Sequence, residues 1–117
     1  MSDDPRVLAT AYFDAWRAHD PSALRALLTD DATFEGPLGT AGNADEMAES
    51  VKGLYAITTD VVVRKMAVDG SDVITWFELH TTVAPPTPVA NWSQVRDGKI
   101  AAVRATFDPR QIIAPRG

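Results

Sequence analysis

The fold is decided by residues 57–107, ITTDVVVRKMAVDGSDVITWFELHTTVAPPTPVANWSQVRDGKIAAVRATF, in which apolar and polar side chains alternate along most of the stretch. Alternation with a period of two is typical of β-strands. Asp69-Gly70 and Asp97-Gly98 are typical of tight hairpin turns, and the proline-rich residues 85–88 indicate a stiffer connection. We therefore expect a meander of antiparallel strands. The predicted strands are 57–68, 73–83, 88–96 and 100–107.

The chain before Ile57 has the spacing of helices, with a short strand at residues 32–35 between the second and the third. Each predicted helix begins at a residue whose side chain can cap it. The predicted starts are Ser2 or Asp4 before Pro5, Asp20 before Pro21, and Asn43 with Glu46 three residues later. Because the helices come first and the meander last, we predict the α+β class, with three helices packed on one face of a curved antiparallel sheet.

Composition indicates one globular domain spanning residues 1–117, with 45% hydrophobic residues. The sequence has no cysteine, so we expect neither disulfides nor thiolate chemistry, and a cytoplasmic location fits. A net charge of −5 without a basic stripe argues against nucleic acid as a partner. No apolar run is long enough to cross a membrane, and the acidic N-terminus lacks the features of a secretory signal. We predict no metal site and no cofactor.

Two stretches carry a resemblance to a known family: residues 30–39, DDATFEGPLG, and the end of the chain from Gly98 to Pro109. With the order of elements, they resemble the nuclear-transport-factor-2-like (NTF2-like) superfamily, and within it ketosteroid isomerases and SnoaL-like polyketide cyclases. The resemblance implies a cone-shaped roll around a pocket for an apolar small molecule. Because this superfamily includes isomerases, cyclases, hydrolases, dehydratases and plain binders, it does not choose among these activities.

The isomerases in this family use a carboxylate base and two hydrogen-bond donors. Tyr12 falls on the position of one donor, and Asn91 on the position of the second, where the family has an Asp. The base would occupy position 36, which is glycine here, so ordinary ketosteroid isomerase activity is not expected. Alternation directs the neighbouring Glu35 to the other face of its strand. The alternative for Tyr12 and Asn91 is a structural role in the core.

A replacement acid–base pair is one hypothesis. Aligning the meander to the isomerase pattern turns Trp76, Glu78 and His80 toward the pocket, where Glu78 or His80 would act as base while Tyr12 and Asn91 hold an enolate-like oxygen. The alternative is that Glu78 and His80 pair with each other or with Lys65.

The same alignment places Phe77, Leu79 and Trp92 on the outside of the sheet. Exposed together, these side chains would form an apolar patch of the kind that marks a partner surface. Since dimerisation through this sheet is common in the resembled family, we predict a homodimer through this face.

Two functions follow as alternatives. One is a cofactor-free isomerase or cyclase that moves a proton on an apolar cyclic or polyketide-like molecule. The other is a non-catalytic binding domain or dimeric scaffold. Both use the same predicted pocket wall. Its members are Trp16, Phe34, Met47, Leu54, Tyr55, Trp76, Val89, Val103 and Phe107.

Overall fold

The structure, a computed structural model, describes residues 4–113 as helices packed against one curved six-stranded sheet. The helices are α1 (Pro5–Arg17), α2 (Pro21–Ala26), α3 (Ala44–Ser50), α4 (Lys52–Ile57) and α5 (Arg110–Ile113). The strands are β1 (Leu28–Gly36), β2 (Gly39–Ala41), β3 (Thr58–Asp69), β4 (Asp72–Thr81), β5 (Thr87–Arg96) and β6 (Lys99–Thr106). The predicted α+β architecture is confirmed.

Three of the helices begin at the predicted capping residues. The side chains of Asp4, Asp20 and Asn43 accept hydrogen bonds from backbone N–H groups in the first turns of α1, α2 and α3. These bonds satisfy donors that a helix start otherwise leaves without a partner. Ser2, the other candidate for the first cap, lies outside the described residues. The predicted third helix is two short helices, α3 and α4, that meet at Val51.

The sheet has the order β2-β1-β6-β5-β4-β3. Strands β3 to β6 form the predicted antiparallel meander. Strand β1, however, runs parallel to β6, and β2, which was not predicted, adds an antiparallel edge to β1. The first hairpin turns at Gly70-Ser71, one residue later than predicted, because Asp69 and Asp72 form the last strand pair. The second turns at Asp97-Gly98, as predicted, with both residues at positive φ.

The core lies between the helices and the concave face of the sheet, which we call the inner face. Helix α1 packs across β3, β4 and β5 there. The fully buried side chains come from both layers. The largest are Phe13, Phe77, Leu24, Leu28, Met47 and Leu79. None of the helices within residues 4–113 is both long and apolar enough to cross a membrane.

Candidate functional site

Aromatic side chains from α1, α4 and β4 meet on the inner face. Tyr12 and Trp16 are four residues apart and so lie on the same side of α1, toward the sheet. Trp16 stacks on Tyr55 of α4, with ring centroids 5.9 Å apart, and meets the edge of Phe77 at 5.5 Å. Its indole Nε1 donates a 2.8 Å hydrogen bond to Oγ1 of Thr58. This cluster fixes the rings that line the space beside it.

A small, largely enclosed cavity of about 40 Å³ lies against this cluster. Its wall is almost entirely apolar and comes from α1, α4, the inner face of the sheet and the segment after β6. The lining residues are Tyr12, Trp16, Phe34, Val51, Leu54, Tyr55, Phe77, Leu79, Val89, Asn91, Ala105 and Phe107. Six of the predicted binding residues therefore line the same cavity as Tyr12 and Asn91. They are Trp16, Phe34, Leu54, Tyr55, Val89 and Phe107.

The polar groups of this wall, two phenol hydroxyls and an amide, can donate hydrogen bonds. None of the hydrogen bonds among residues 4–113 involves the hydroxyls of Tyr12 or Tyr55, so both are available to a bound molecule. Burial raises the pKa of Tyr12 and of Tyr55, because the phenolate loses hydration inside the protein. The side chain of Asn91, 2% exposed, gives one N–H to Ser93 Oγ in a long 3.4 Å bond. The amide keeps a second N–H for a ligand.

The position of the family's base is occupied by a ring. A Cβ built on Gly36 would lie only 2.8 Å from Cζ of Phe34, whose side chain is on the same face of β1. Glu35 lies on the opposite, exposed face, where its carboxylate is 3.9 Å from Arg104. Position 36 therefore contributes neither a carboxylate nor space for one while Phe34 stays in place.

The prediction that Trp76, Glu78 and His80 face the pocket is wrong. All three lie on the convex side of β4, which we call the outer face, and the alternate residues of the strand are buried. Glu78 Oε1 is 3.0 Å from Nη2 of Arg64 and 3.3 Å from Nε2 of His80. At the surface, Glu78 thus forms an ion pair with Arg64, a partner that the sequence did not indicate, and a hydrogen bond with His80.

The pairing of β4 with β5 gives the physical reason. Residues opposite each other on neighbouring strands share a face. Asn91 pairs with Thr75, and Trp76 pairs with Ala90, so Asn91 and Trp76 cannot point the same way. The sequence could have indicated which face of β4 is exposed, because Glu78 and His80 are on the same face and charged residues are rarely buried.

Two further residues of the predicted wall are buried elsewhere. Met47 and Val103 are at most 1% exposed, but they pack in the core outside the lining of the cavity. Four lining residues were not predicted as ligand contacts. They are Val51, Phe77, Leu79 and Ala105. Phe77 and Leu79 are on the inner face of β4, whereas Val51 lies at the junction of α3 and α4.

The predicted dimer patch is also corrected in part. Phe77 and Leu79 are fully buried, so they cannot contact a partner. Trp92 is on the outer face, as predicted, and the side chains beside it are Ile74 and Trp76. Arg104 lies over the Trp92 ring at 4.7 Å, and the indole N–H donates to Asp72. The outer face therefore has an apolar patch, composed of Ile74, Trp76 and Trp92.

A metal centre and a more open hollow are two other kinds of site to consider within residues 4–113. No group of three or more His, Asp or Glu side chains within residues 4–113 is placed to hold a metal ion. A more open hollow of about 540 Å³ lies between residues 85–88 and the residues around α5, but its charged groups, Asp108 and Arg110, form an ion pair with each other. The small cavity is the hollow in which hydroxyl and amide groups lie within an aromatic, almost entirely apolar wall.

Solved structures with the same fold include enzymes of different activities and a protein of unknown function. An NTF2-like protein of unknown function from Cytophaga hutchinsonii is 21% identical, with a TM-score of 0.80 over 92% of this chain and 93% of that one. An LEH-like epoxide hydrolase from M. tuberculosis is 21% identical (TM-score 0.74; 89% and 82% covered). A steroid delta-isomerase from Pseudomonas aeruginosa is 17% identical (TM-score 0.74; 91% and 80% covered). At these identities the similarity establishes the fold alone.

Sequence comparison gives the family. No curated protein sequence matches this chain. The SnoaL-like domain matches residues 9–103, which includes most of the chain and every strand of the sheet except the end of β6. The chain therefore belongs to the SnoaL-like domain family, and its fold is that of NTF2-like proteins.

Proposed function

We propose that this domain binds a small apolar molecule that has one or two rings and a single oxygen function, with the rings against the aromatic cluster and the oxygen at Tyr12 and Asn91. One observation carries the proposal: a small, largely enclosed apolar cavity whose polar lining groups can donate hydrogen bonds. Ligand sites in proteins combine apolar walls with a few placed polar groups in this way.

Binding without catalysis is favoured over proton transfer. An isomerase needs a group that accepts a proton from the substrate carbon. The described residues that line the cavity include two phenols and an amide, but no carboxylate or imidazole. Burial raises the pKa of Tyr12, so the phenol stays protonated at neutral pH and serves as a donor. Glu78 and His80, the proposed replacement pair, are on the other side of the sheet.

Binding can be tested with two compounds of similar shape, 2-naphthol and 2-methylnaphthalene. We expect 2-naphthol to raise the unfolding temperature and to bind more tightly, because its oxygen can accept hydrogen bonds from Tyr12 and Asn91. Replacing Tyr12 by Phe keeps the ring but removes the hydroxyl, so calorimetry should record an affinity roughly two- to tenfold lower for 2-naphthol. The affinity for 2-methylnaphthalene should not fall. Equal losses for both compounds would contradict the assigned role of Tyr12.

Catalysis can be tested separately with 2-tetralone, a two-ring ketone with exchangeable α-protons. In D₂O, NMR should record the same rate of α-proton exchange with and without the protein. An acceleration that is lost in Tyr12→Phe would contradict the non-catalytic proposal. The variant Glu78→Gln is the matched control, because it changes a carboxylate outside the cavity.

Homodimerisation through the outer face is a second proposal, supported by the apolar patch of Ile74, Trp76 and Trp92. Trp76 is 50% exposed and is the most exposed of the three. Large aromatic side chains at the surface are typical of interfaces. Sedimentation equilibrium should give a dimer for the wild type and a larger monomer fraction for Trp76→Ser. The proposal fails if both proteins sediment as monomers at micromolar concentration.

A further inference from the structure

A second hollow lies directly outside the cavity. It is a groove of about 160 Å³, lined by the loop from Gly36 to Thr40 and by residues of α3 and α4. Four side chains line both the groove and the cavity, and we call them the dividing wall. They are Phe34, Val51, Leu54 and Phe107. The two hollows therefore lie next to each other and share these four side chains.

The inner compartment alone is too small for the ligand proposed above. A cavity of about 150 Å³ in an engineered protein accepts benzene, and drug-sized ligands occupy about 300–1,000 Å³. The cavity here has about 40 Å³. A ring that comes from the groove can reach Tyr12 and Asn91 if part of the dividing wall moves and the cavity joins the groove.

Phe34 differs from the other members of the wall because its ring lies directly beside Gly36. Val51 and Leu54 lie on the α3–α4 segment, and Phe107 follows β6. All four side chains are only partly buried. The ring of Phe34 occupies the space beside Gly36 in which a side chain would otherwise lie, because a Cβ there would be 2.8 Å from Cζ and 2.9 Å from Cε2.

On the basis of the proposed function, we infer that Phe34 is the gate between the groove and the cavity, and that the missing side chain at Gly36 lets this gate close. In the closed position the ring separates the two compartments. When it rotates, they form one site that accepts a two-ring molecule from the groove side. Phe34 and Gly36 together thus determine the size of the ligand and how fast it enters.

Association kinetics test the gate in the full chain. Stopped-flow fluorescence should record association of 2-naphthol about tenfold faster with Phe34→Ala than with the wild type, because binding then needs no prior movement of the ring. The matched variant is Val51→Ala, which also shortens a side chain of the dividing wall but does not touch Gly36. It should accelerate association less than Phe34→Ala. Equal acceleration by the two variants would overturn the gate and leave the proposed function standing.

A second measurement decides the gate without any binding of 2-naphthol. Xenon enters apolar cavities and requires no hydrogen bond. Crystals of the wild type, Phe34→Ala and Gly36→Ala under xenon pressure should contain separate compartments in the wild type and one continuous hollow in both variants. In Gly36→Ala the new Cβ should push the Phe34 ring from its place, and an unmoved ring between separate compartments would overturn the inference. If 2-naphthol binds none of the proteins while xenon fills one continuous hollow in both variants, the proposed function fails and the gate stands.

Discussion

The two faces of strand β4 differ sharply, although their residues alternate along one backbone. The inner face has Val73, Thr75, Phe77 and Leu79, which are at most 1% exposed. The outer face has Ile74, Trp76, Glu78 and His80, which are partly or largely exposed. Both faces have an aromatic residue, but the titratable residues Glu78 and His80 are on the outer face alone. In this fold, a single step along the strand moves a side chain from the candidate site to the protein surface.

The largest effect that would sharpen this comparison is on stability. Phe77→Ala should lower the free energy of unfolding by about 3–5 kcal/mol, because it leaves a cavity among Phe13, Trp16 and the helices. Trp76→Ala removes a larger side chain from the next position, yet it should cost about 1 kcal/mol or less, because that ring is half exposed. Urea titration of both variants measures the difference. Similar losses of stability in the two variants would mean that side chains on the two faces contribute equally to the free energy of unfolding.

Most of the fold could be predicted from the sequence, because the helix caps and hairpin turns that define it depend on residues close together in the chain. Capping side chains at Asp4, Asp20 and Asn43 and the Asp97-Gly98 turn depend only on near neighbours in the chain. The parallel pairing of β1 with β6 is different. It joins residues about seventy positions apart, and no local pattern specifies it.

For the candidate site, the sequence identified much of the cavity wall but not the inner residues of β4. A period of two says that residues alternate, but not which set faces inward. Both sets of β4 include aliphatic and aromatic residues, so hydrophobicity alone did not choose between them. The closing of position 36 by Phe34 also could not be predicted, because it depends on the rotamer of one side chain.

A second prediction concerns hydrogen bonding on the inner side. Thr58 is 3% exposed and its Oγ1 accepts from Trp16 Nε1. Thr58→Val keeps the shape but leaves the indole N–H buried without an acceptor, so the free energy of unfolding should fall by about 1–3 kcal/mol. Thr33→Val, at an exposed position of β1, is the control and should change it far less. Equal effects in urea titrations would argue against the bond.

A third prediction follows from the buried tyrosine. Because burial raises the pKa of Tyr12 above its ordinary value of 10.0, the unfolded chain loses this proton at lower pH than the folded one. The stabilising effect is complete below pH 10.0 and is lost as the pH rises above it, by about 1.4 kcal/mol per pH unit. In urea titrations between pH 9 and 11, Tyr12→Phe should therefore lose stability less steeply than the wild type. Parallel curves would show that Tyr12 is exposed to solvent.

The smallest effect is expected on the outer face. Arg64, and after it His80, donates to the carboxylate of Glu78 and lowers its pKa from the ordinary value of 4.5. Because the pKa of Glu78 is lower in the folded chain, the charge stabilises the fold fully when the pH is above the ordinary pKa. This stabilisation is lost as the pH falls through the pKa of the folded state. The difference in stability between the wild type and Glu78→Gln should therefore be present at pH 7, shrink below pH 4.5, and weaken with added salt. The Glu35 carboxylate is farther from its partner, at 3.9 Å from Arg104. The difference in stability between the wild type and Glu35→Gln at pH 7 should therefore be smaller than that for Glu78→Gln. A pH-independent difference for Glu78→Gln would mean that its partners do not stabilise the charge, and that the boundary between the two faces of β4 depends on apolar burial alone.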